Sequence, residues 1–261
     1  MSDVQGALLT GALIAGGGVA GFLGGRWLIR HYLEGGDLRT AILGPLGRDD
    51  GPAGESSAES ARETKQLPSA SVPLPRRFDW IFEQHRGDIP IEYLRALAVR
   101  ESGMQAGAQS GPARGLLQII EVVRRDYNQV NGTRHQRADL LDPAVNVAVG
   151  TWLLRRIMSS YARNHPAVPN LHANWNNPRF VELLTFGWNA GWSEAGGVGR
   201  VARYLEGQGQ TDITIDRIHR NARAAGASRH LSRTDKVAWC KGVAALYEEE
   251  RRASAASTRA P

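Results

Sequence analysis

Apolar residues recur at helical spacing through the middle of the chain. In four segments, apolar side chains three and four residues apart fall on one face of a helix, and these segments begin at Phe78, Leu94, Val145 and Phe180. The alternation typical of β-strands is nearly absent, apart from residues 212–216. The pattern therefore predicts a mainly α fold.

Two segments without periodicity bound this helical region. Residues 44–77 are rich in Pro, Gly, Ser, Ala and charge, and such a composition cannot bury enough apolar surface to offset the entropy of ordering. We predict a flexible, disordered linker there and one domain over residues 78–247. Residues 251–261 have a similar composition, so we predict a disordered tail.

The N-terminal residues carry a different pattern. Residues 4–25 contain no charged side chain, and eight of these 22 positions are Gly. This length is sufficient for a helix that crosses a hydrocarbon core of ~30 Å, so we predict a transmembrane helix. Gly17, Gly21 and Gly25 have the G-x-x-x-G spacing with which membrane helices pack closely, and this spacing favours self-association.

Two other interpretations of this glycine run stay open. Gly16, Gly18 and Gly21 also match the dinucleotide-binding pattern G-x-G-x-x-G, but no β-branched strand precedes them. A cleaved signal peptide is the stronger alternative, although Asp3 occupies a region that is normally basic. Positive residues follow the run, beginning with Arg26, and this bias directs the rest of the chain towards the cytoplasm.

Composition and charge narrow the classes of function. The formal net charge is +6 at pH 7 and Cys240 is the single cysteine, so an internal disulfide framework and a cluster of metal-bound cysteines are excluded. The seven His residues lack the spacing of a zinc site, and we expect neither a metal nor another cofactor. Arginines are spread along the chain rather than stacked on one face, so we expect no nucleic-acid partner.

One carboxylate interrupts an apolar helix face. Glu101 lies seven residues after Leu94 and four after Leu97, just before Gly103, which can end the helix. Desolvation raises the pKa of a carboxyl group, and an acid that is still protonated near neutral pH is what a general acid requires. From position alone, the simpler alternative is a Glu paired with Arg100 at the edge of the core.

Three sequence motifs occur in order along the chain, and the first begins at Glu101. Residues 101–119 read E-S-G-M-Q-A-G-A-Q-S-G-P-A-R-G-L-L-Q-I, residues 142–154 read D-P-A-V-N-V-A-V-G-T-W-L-L, and residues 186–191 read F-G-W-N-A-G. Together they resemble the soluble lytic transglycosylases, lysozyme-like glycosidases that cut bacterial peptidoglycan. The resemblance covers residues 78–205 and implies a mainly α, lysozyme-like transglycosylase domain.

The chain departs from the family pattern at several positions. The stretch between Ser110 and Gly115 is one residue shorter than usual, and Gln105 and Ala106 replace an expected Asn-Pro pair. Trp188 stands where the family has Tyr, and an indole donates one hydrogen bond but cannot accept one. This exchange leaves open a catalytically weak peptidoglycan-binding or structural protein of the virion or envelope.

The resemblance implies a single catalytic carboxylate. Glu101 would act as general acid on the bridging oxygen after N-acetylmuramic acid and then as base on the C6 hydroxyl of the same sugar, which leaves a 1,6-anhydro end. Proximity favours this intramolecular nucleophile over water, so no second carboxylate is needed. The resemblance also assigns four residues to substrate binding: Ser110, Gln118, Trp188 and Asn189. Asn146, in the second motif, is expected instead to satisfy a buried backbone group.

The implied partners are peptidoglycan glycan strands and, through the N-terminal helix, the membrane. The nearest alternative enzyme is a hydrolysing muramidase on the same fold, similar to goose-type lysozymes.

We expect a membrane-anchored enzyme of the bacterial envelope that opens the wall locally. The charge bias would leave the domain on the cytoplasmic side, where there is no peptidoglycan. Either translocation overrides the bias, or the protein arrives from outside as part of a phage virion or secretion machine.

Overall fold

Eight α-helices and one small β-sheet make up residues 74–259, the part of the chain that the computed structural model describes. The predicted mainly α fold is confirmed for these residues. The helices are α1 (Asp79–His85), α2 (Ile91–Ser102), α3 (Glu121–Asn131), α4 (Pro143–Asn164), α5 (Pro178–Ala190), α6 (Val198–Glu206), α7 (Ile215–Asn221) and α8 (Thr234–Arg259). Short 3-10 turns lie at Ala138–Leu141, Pro169–Leu171 and Arg229–Ser232.

Several predictions concern residues outside this range. The glycine run at residues 4–25, with Gly17, Gly21 and Gly25, and residues 44–73 of the predicted linker lie outside the described residues. The transmembrane helix, its self-association and the flexible linker therefore stay predictions. Within residues 74–259, no helix combines the length and apolar character that crossing a bilayer needs.

Local sequence signals define the ends of the longest helices near the site. Asp142 Oδ1 accepts a hydrogen bond from Ala144 N at 2.8 Å, and Pro143 occupies the first turn of α4, a favourable start for a helix. Asn177 caps α5 in the same way. Gly103 ends α2 in the left-handed conformation, with φ of 63°, as its sequence position predicts.

The segment with strand-like alternation, residues 212–216, forms no strand. Ile213 and Ile215 are buried, and Thr214 Oγ1 accepts a hydrogen bond from Arg217 N at the start of α7. The alternation therefore reflects one apolar side chain before a helix and a second in its first turn.

A three-stranded antiparallel sheet connects α2 to α3. Strands β1 (Gln109–Ser110), β2 (Ala113–Arg114) and β3 (Ile119–Ile120) pair in that order, with Ser110 opposite Ala113. Strands of two residues are too short to show an alternating pattern, so the sequence does not predict this sheet. It shapes the first motif into a compact loop that follows Glu101.

The C-terminal helix is part of the domain core. Helix α8 packs along α2 and α5, and the three helices enclose an aromatic cluster. The Trp175 ring lies 5.1 Å from that of Tyr93 and 5.3 Å from that of Phe180, and the Tyr247 ring lies 5.9 Å from that of Tyr93. The Trp175–Phe180 and Tyr93–Tyr247 contacts are edge-to-face, and such contacts stabilise a core beyond the area that they bury.

Helix α8 also extends further than the sequence indicates. It continues to Arg259, which differs from the disordered tail predicted for residues 251–261. Arg251 and Arg252 both donate to Glu248, at 2.8 and 3.2 Å, and pairs three or four residues apart stabilise a helix. The alanines in this segment add a high helix propensity. These helix-stabilising effects outweigh the tendency of the polar composition towards disorder.

A buried ion cluster joins α2 to α1 and α8. Arg95 is 4% exposed and donates to the Asp79 carboxylate at 2.6 and 2.9 Å. Its second partner is Glu250 of α8, at 2.9 Å and also 4% exposed. Removing one member of a buried pair leaves an uncompensated charge, which destabilises the folded state. Arg95 therefore ties the C-terminal helix to the helix that carries Glu101.

We predict that Arg95→Met lowers the free energy of unfolding by about 3–5 kcal/mol, because Glu250 keeps its buried charge and loses its 2.9 Å bond to Arg95. The remaining contacts of Glu250 are longer, at 3.9 Å to Arg76 and 3.4 Å to Leu74 N. Urea denaturation followed by circular dichroism measures this change. The matched control is Arg179→Gln, which removes an exposed pair with Asp212 and should cost less than about 1 kcal/mol. Equal losses in the two variants would contradict the proposed role of Arg95.

Candidate active site

Glu101 occupies the last turn of α2, where the helix meets the loop that carries the sheet. Its side chain is partly buried, and its Oε1 accepts a hydrogen bond from Trp188 Nε1 at 2.7 Å. Trp188 lies in the last turn of α5. The tertiary structure thus brings together two predicted site residues that are distant in the chain.

The surroundings of Glu101 favour its protonated form. Burial raises the pKa of Glu101 to about 7, whereas the hydrogen bond from Trp188 and the positive charges of Lys236 and Arg100 oppose this increase. The charged groups that act on Glu101 are therefore cations. A carboxyl group with a pKa near neutrality can donate a proton and then accept one, as acid and base catalysis requires.

Trp188 supplies a hydrogen bond of defined direction. An indole nitrogen donates and does not accept, so Oε1 of Glu101 is the acceptor of this bond. The ring lies beside Gly150, where a Cβ atom would be 3.5 Å from Trp188 Cη2 and 2.6 Å from Leu117 Cδ1. The glycine of the second motif therefore leaves room for the indole and for Leu117.

Asn146 holds the loop that follows Glu101. Its side chain is fully buried, and its Oδ1 accepts a hydrogen bond from Leu117 N at 2.7 Å. Its Nδ2 donates to Arg114 O and Leu140 O, each at 2.8 Å. These contacts confirm that Asn146 satisfies buried backbone groups.

Gly115 permits this close approach. Its φ is +77°, and a Cβ atom there would lie 2.1 Å from Leu140 O and 2.3 Å from Asn146 Nδ2. At the other end of the loop, the buried Ser102 hydroxyl donates to Leu116 O at 2.8 Å. The loop is thereby fixed relative to the end of α2.

The two predicted polar residues of this loop are placed differently. Gln118 is partly buried with φ of 48°, and its Nε2 donates to Gly115 O at 2.8 Å and Ala108 O at 3.2 Å. Ser110 is exposed on β1. Among the described residues, no hydrogen bond joins either side chain to Glu101. Gln118 is held by the loop, whereas Ser110 is exposed to solvent.

Asn189 contacts a residue that the sequence analysis missed. Lys236 Nζ of α8 donates to Asn189 O and to Asn189 Oδ1, each at 2.7 Å. A signal for this residue is present in the sequence, since Lys236, Cys240 and Val243 lie at i, i+4 and i+7 and the latter two are buried. A charge on an apolar helix face is the same signal that indicates Glu101.

A buried histidine stabilises the turn after α5. His165 is fully buried, with its Nε2 2.7 Å from Glu194 Oε1 and its Nδ1 2.5 Å from Glu206 Oε2. Glu194 also accepts from Arg203 Nε at 2.8 Å. Burial by itself lowers the pKa of His165, but the bonds to the two carboxylates outweigh burial and raise it. The imidazole therefore joins Glu194, which follows Asn189 in the chain, to Glu206 at the end of α6.

The described residues contain no group of three or more His, Cys, Asp or Glu side chains arranged to hold a metal ion. Cys240 is a free, buried thiol, and burial raises its pKa.

Arginines do gather on one face of α4, contrary to the even spread expected from the sequence. Arg155, Arg156 and Arg163 line a cavity of about 420 Å³. Arg155 donates to two backbone carbonyls at the end of α1, at 3.0 and 3.3 Å, and Arg156 lies 3.4 Å from Asp126 of α3. Two of the three guanidinium groups thus hold α1 and α3 against α4.

Comparison with known proteins supports the motif resemblance. A family model described as the Transglycosylase SLT domain matches residues 79–212. Among solved structures, the 70 kDa soluble lytic transglycosylase from Escherichia coli is similar at 22% identity with a TM-score of 0.48, over 69% of this chain and 25% of that chain. The chain thus spans about a quarter of the length of that protein. The comparison with curated proteins found no match.

We predict that Trp188→Phe raises the pKa of Glu101 above about 7, because the indole bond stabilises the carboxylate. A hydrogen bond to a charged group is worth about 1.5–3 kcal/mol, so the pKa should increase by about one to two pH units. Carbon NMR titration of the labelled carboxyl group measures it. Trp80→Phe, at a ring that is 67% exposed, is the control and should leave the titration unchanged. A lower pKa in Trp188→Phe would contradict this role.

We predict that the stabilising contribution of His165 is present at pH 6 and is lost as the pH rises. The unfolded-state pKa is about 6.5 and the folded-state pKa is higher, so the contribution is complete below 6.5 and disappears as the pH passes the folded-state value. Unfolding free energies at pH 6 and pH 8 measure it. His165→Gln should reduce the difference between the two, whereas the control His135→Gln should preserve it. An unchanged difference in His165→Gln would refute the assignment.

Proposed function

The chain belongs to the transglycosylase SLT domain family, and from this premise we propose that it is a lytic transglycosylase that cleaves peptidoglycan through Glu101. The family resemblance inferred from the three motifs is thereby confirmed. The observation that carries the catalytic proposal is the 2.7 Å bond from Trp188 Nε1 to Glu101 Oε1, which fixes a carboxyl group whose pKa lies near neutrality.

The first step is proton donation to the glycosidic bond. Oε2 of protonated Glu101 gives its proton to the oxygen that links N-acetylmuramic acid to N-acetylglucosamine, and the bond from that oxygen to C1 of muramic acid breaks. The N-acetyl group of the same sugar stabilises the positive charge that develops at C1. General acid catalysis of this kind contributes about 10²–10⁴-fold to the rate.

The second step closes the ring. The Glu101 carboxylate removes the proton from the C6 hydroxyl of the muramic acid, and O6 attacks C1 to give the 1,6-anhydro product. Glu101 returns to its protonated state, so the cycle is balanced. Because the nucleophile belongs to the substrate, its effective concentration is high and the enzyme needs no second carboxylate.

The proposed mechanism uses a single carboxylate, whereas glycosidases with two carboxylates place the second one within about 5–10 Å of the first. The charged side chains that favour the Glu101 carboxylate are Lys236 and Arg100. The alternative is hydrolysis on the same fold, in which water replaces the C6 hydroxyl and the product has a reducing end.

The structure also bears on whether the site is active. Trp188 retains a donor towards Glu101 at 2.7 Å, so the exchange from the Tyr of the family pattern keeps the hydrogen bond to the carboxyl group. This geometry supports an active enzyme over a protein that only binds peptidoglycan. Ser110, Gln118 and Asn189 are proposed to contact the glycan.

The proposed substrate places the action of this domain in the cell envelope. Membrane anchoring through residues 4–25 remains a prediction, as does delivery by a virion or secretion machine. Peptidoglycan lies outside the cytoplasm, so either route has to present the domain on that side of the membrane. Protease accessibility of the domain in intact spheroplasts tests translocation, because a protected domain would rule out ordinary periplasmic display.

We predict that Glu101→Gln lowers the rate of peptidoglycan cleavage by at least about 10²-fold, because Gln cannot transfer the proton. Mass spectrometry of the digestion products measures both rate and product. The wild-type protein should release 1,6-anhydro ends, lighter by one water molecule than reducing ends. Glu249→Gln changes an exposed carboxylate of α8 and serves as the control. Reducing ends would favour the muramidase, and an equally active Glu101→Gln would overturn the catalytic role.

A further inference from the structure

The first turns of α8 contribute a cation to the site from outside the matched family segment. The family match ends at residue 212, whereas Lys236 lies 24 positions later and binds Asn189 at two atoms, each 2.7 Å from Nζ. Asn189 follows Trp188, the residue that bonds to Glu101. The lysine therefore contacts the same helical turn that positions the catalytic carboxyl group.

We propose that Lys236 is a positioning residue that fixes the Asn189 amide so that its Nδ2 serves as a hydrogen-bond donor to the glycan. This inference rests on the proposed function and deepens it. The sugar group that the Asn189 amide binds is then a hydrogen-bond acceptor, such as a hydroxyl or acetamido oxygen.

The chemistry of the ammonium group determines the orientation of the amide. Lysine carries three N–H donors and no acceptor, so the side-chain atom of Asn189 that faces Lys236 has to be the oxygen. An amide has its oxygen and nitrogen on opposite sides, and Nδ2 consequently points away from the lysine. Without Lys236, the two orientations of the amide would compete, and only one of them presents a donor.

The second bond from Lys236 fixes the backbone at the same point. Asn189 lies in the last turn of α5, which ends at Ala190, and carbonyl groups in the last turn of a helix lack intrahelical partners. A cation at a helix C-terminus also interacts favourably with the helix dipole. Lys236 therefore anchors the end of α5 as well as the amide.

Lys236 also acts on the charge state of Glu101. Helix α2 contributes the cation Arg100 and the Tyr93 phenol, α8 contributes Lys236 and the Cys240 thiol, and α5 contributes the hydrogen bond from Trp188. The Trp188 hydrogen bond and the two cations favour the carboxylate, whereas burial favours the protonated acid. Lys236 is partly buried, which reduces the screening of its charge by solvent.

Helix α8, which carries Lys236, is fixed by contacts with both helices of the site. Glu250 of the same helix pairs with the buried Arg95 of α2, at 2.9 Å, and α8 packs against both α2 and α5. The helix is thus attached to both elements that carry the site. Lys236 is placed by a rigid helix rather than by a loop.

A binding experiment tests the positioning role separately from catalysis. In the Glu101→Gln background, isothermal titration calorimetry measures the affinity for soluble glycan strands of peptidoglycan. Lys236→Met and Asn189→Ala should each weaken binding by about tenfold. The double variant should lose no more than the larger single loss, because Lys236 acts on the glycan through Asn189. The proposal would be overturned if the loss of affinity in the double variant equalled the product of the two single losses. It would also be overturned if Lys236→Met bound glycan as tightly as the parent protein.

Two further variants separate positioning from folding. Asn189→Asp keeps the oxygen that faces Lys236 but lacks the Nδ2 donor, so it should bind glycan as weakly as Asn189→Ala. Lys241→Met makes the same change on α8 at a residue paired with Asp216 and should retain full affinity. Circular dichroism verifies that each variant is folded. Full affinity in Asn189→Asp would contradict the assignment of Nδ2 as the donor.

The pH profile supplies a readout that a purely structural role would not change. Removing the Lys236 cation should raise the pKa of Glu101, so the basic limb of the cleavage rate in Lys236→Met should move to higher pH. Lys236→Arg keeps the charge and should keep the limb in place. A basic limb that stays at the same pH in Lys236→Met would contradict the proposed effect of the Lys236 charge on the Glu101 pKa. If the wild-type protein formed no anhydro ends, the proposed reaction would fail, whereas the calorimetric cycle would still test Lys236.

Discussion

A carboxyl group that is withdrawn from water at the end of a helix needs hydrogen-bond donors and rigid neighbours, because burying an unpartnered charge is costly. Glu101 meets this condition through Trp188, whose Nε1 donates at 2.7 Å. The bond joins α2 to α5, and both helix ends must be held for it to form. Much of the surrounding structure is explained by this requirement, since the neighbouring loop, turn and C-terminal helix each fix one of the two ends.

Different interactions hold the different sides of the site. The loop after Glu101 depends on Asn146, which is fully buried and bonds to three backbone groups. The turn after α5 depends on His165 and its two carboxylate partners. The first arrangement is neutral and independent of pH, whereas the second contains a titratable group. The two sides of the site should therefore respond differently to a change in pH.

Helix α8 gives this domain a feature that the matched segment does not include. It contributes Lys236 beside Asn189 and Glu250 beside Arg95, so one helix supplies both a positioning group and a buried anchor. A cation near Glu101 favours the carboxylate, whereas burial favours the acid. The pKa near neutrality results from these opposing effects, and a group that must both donate and accept a proton benefits from such a balance.

The sequence by itself determined the mainly α fold and indicated Glu101 as the candidate general acid, because helix periodicity and a charge on an apolar face are local signals. It also indicated the structural role of Asn146. Only the tertiary structure decided which Glu101 oxygen accepts the hydrogen bond from Trp188, where Lys236 lies and how the two-residue strands pair. These features depend on contacts between residues far apart in the chain, and a local pattern carries no information about such distances.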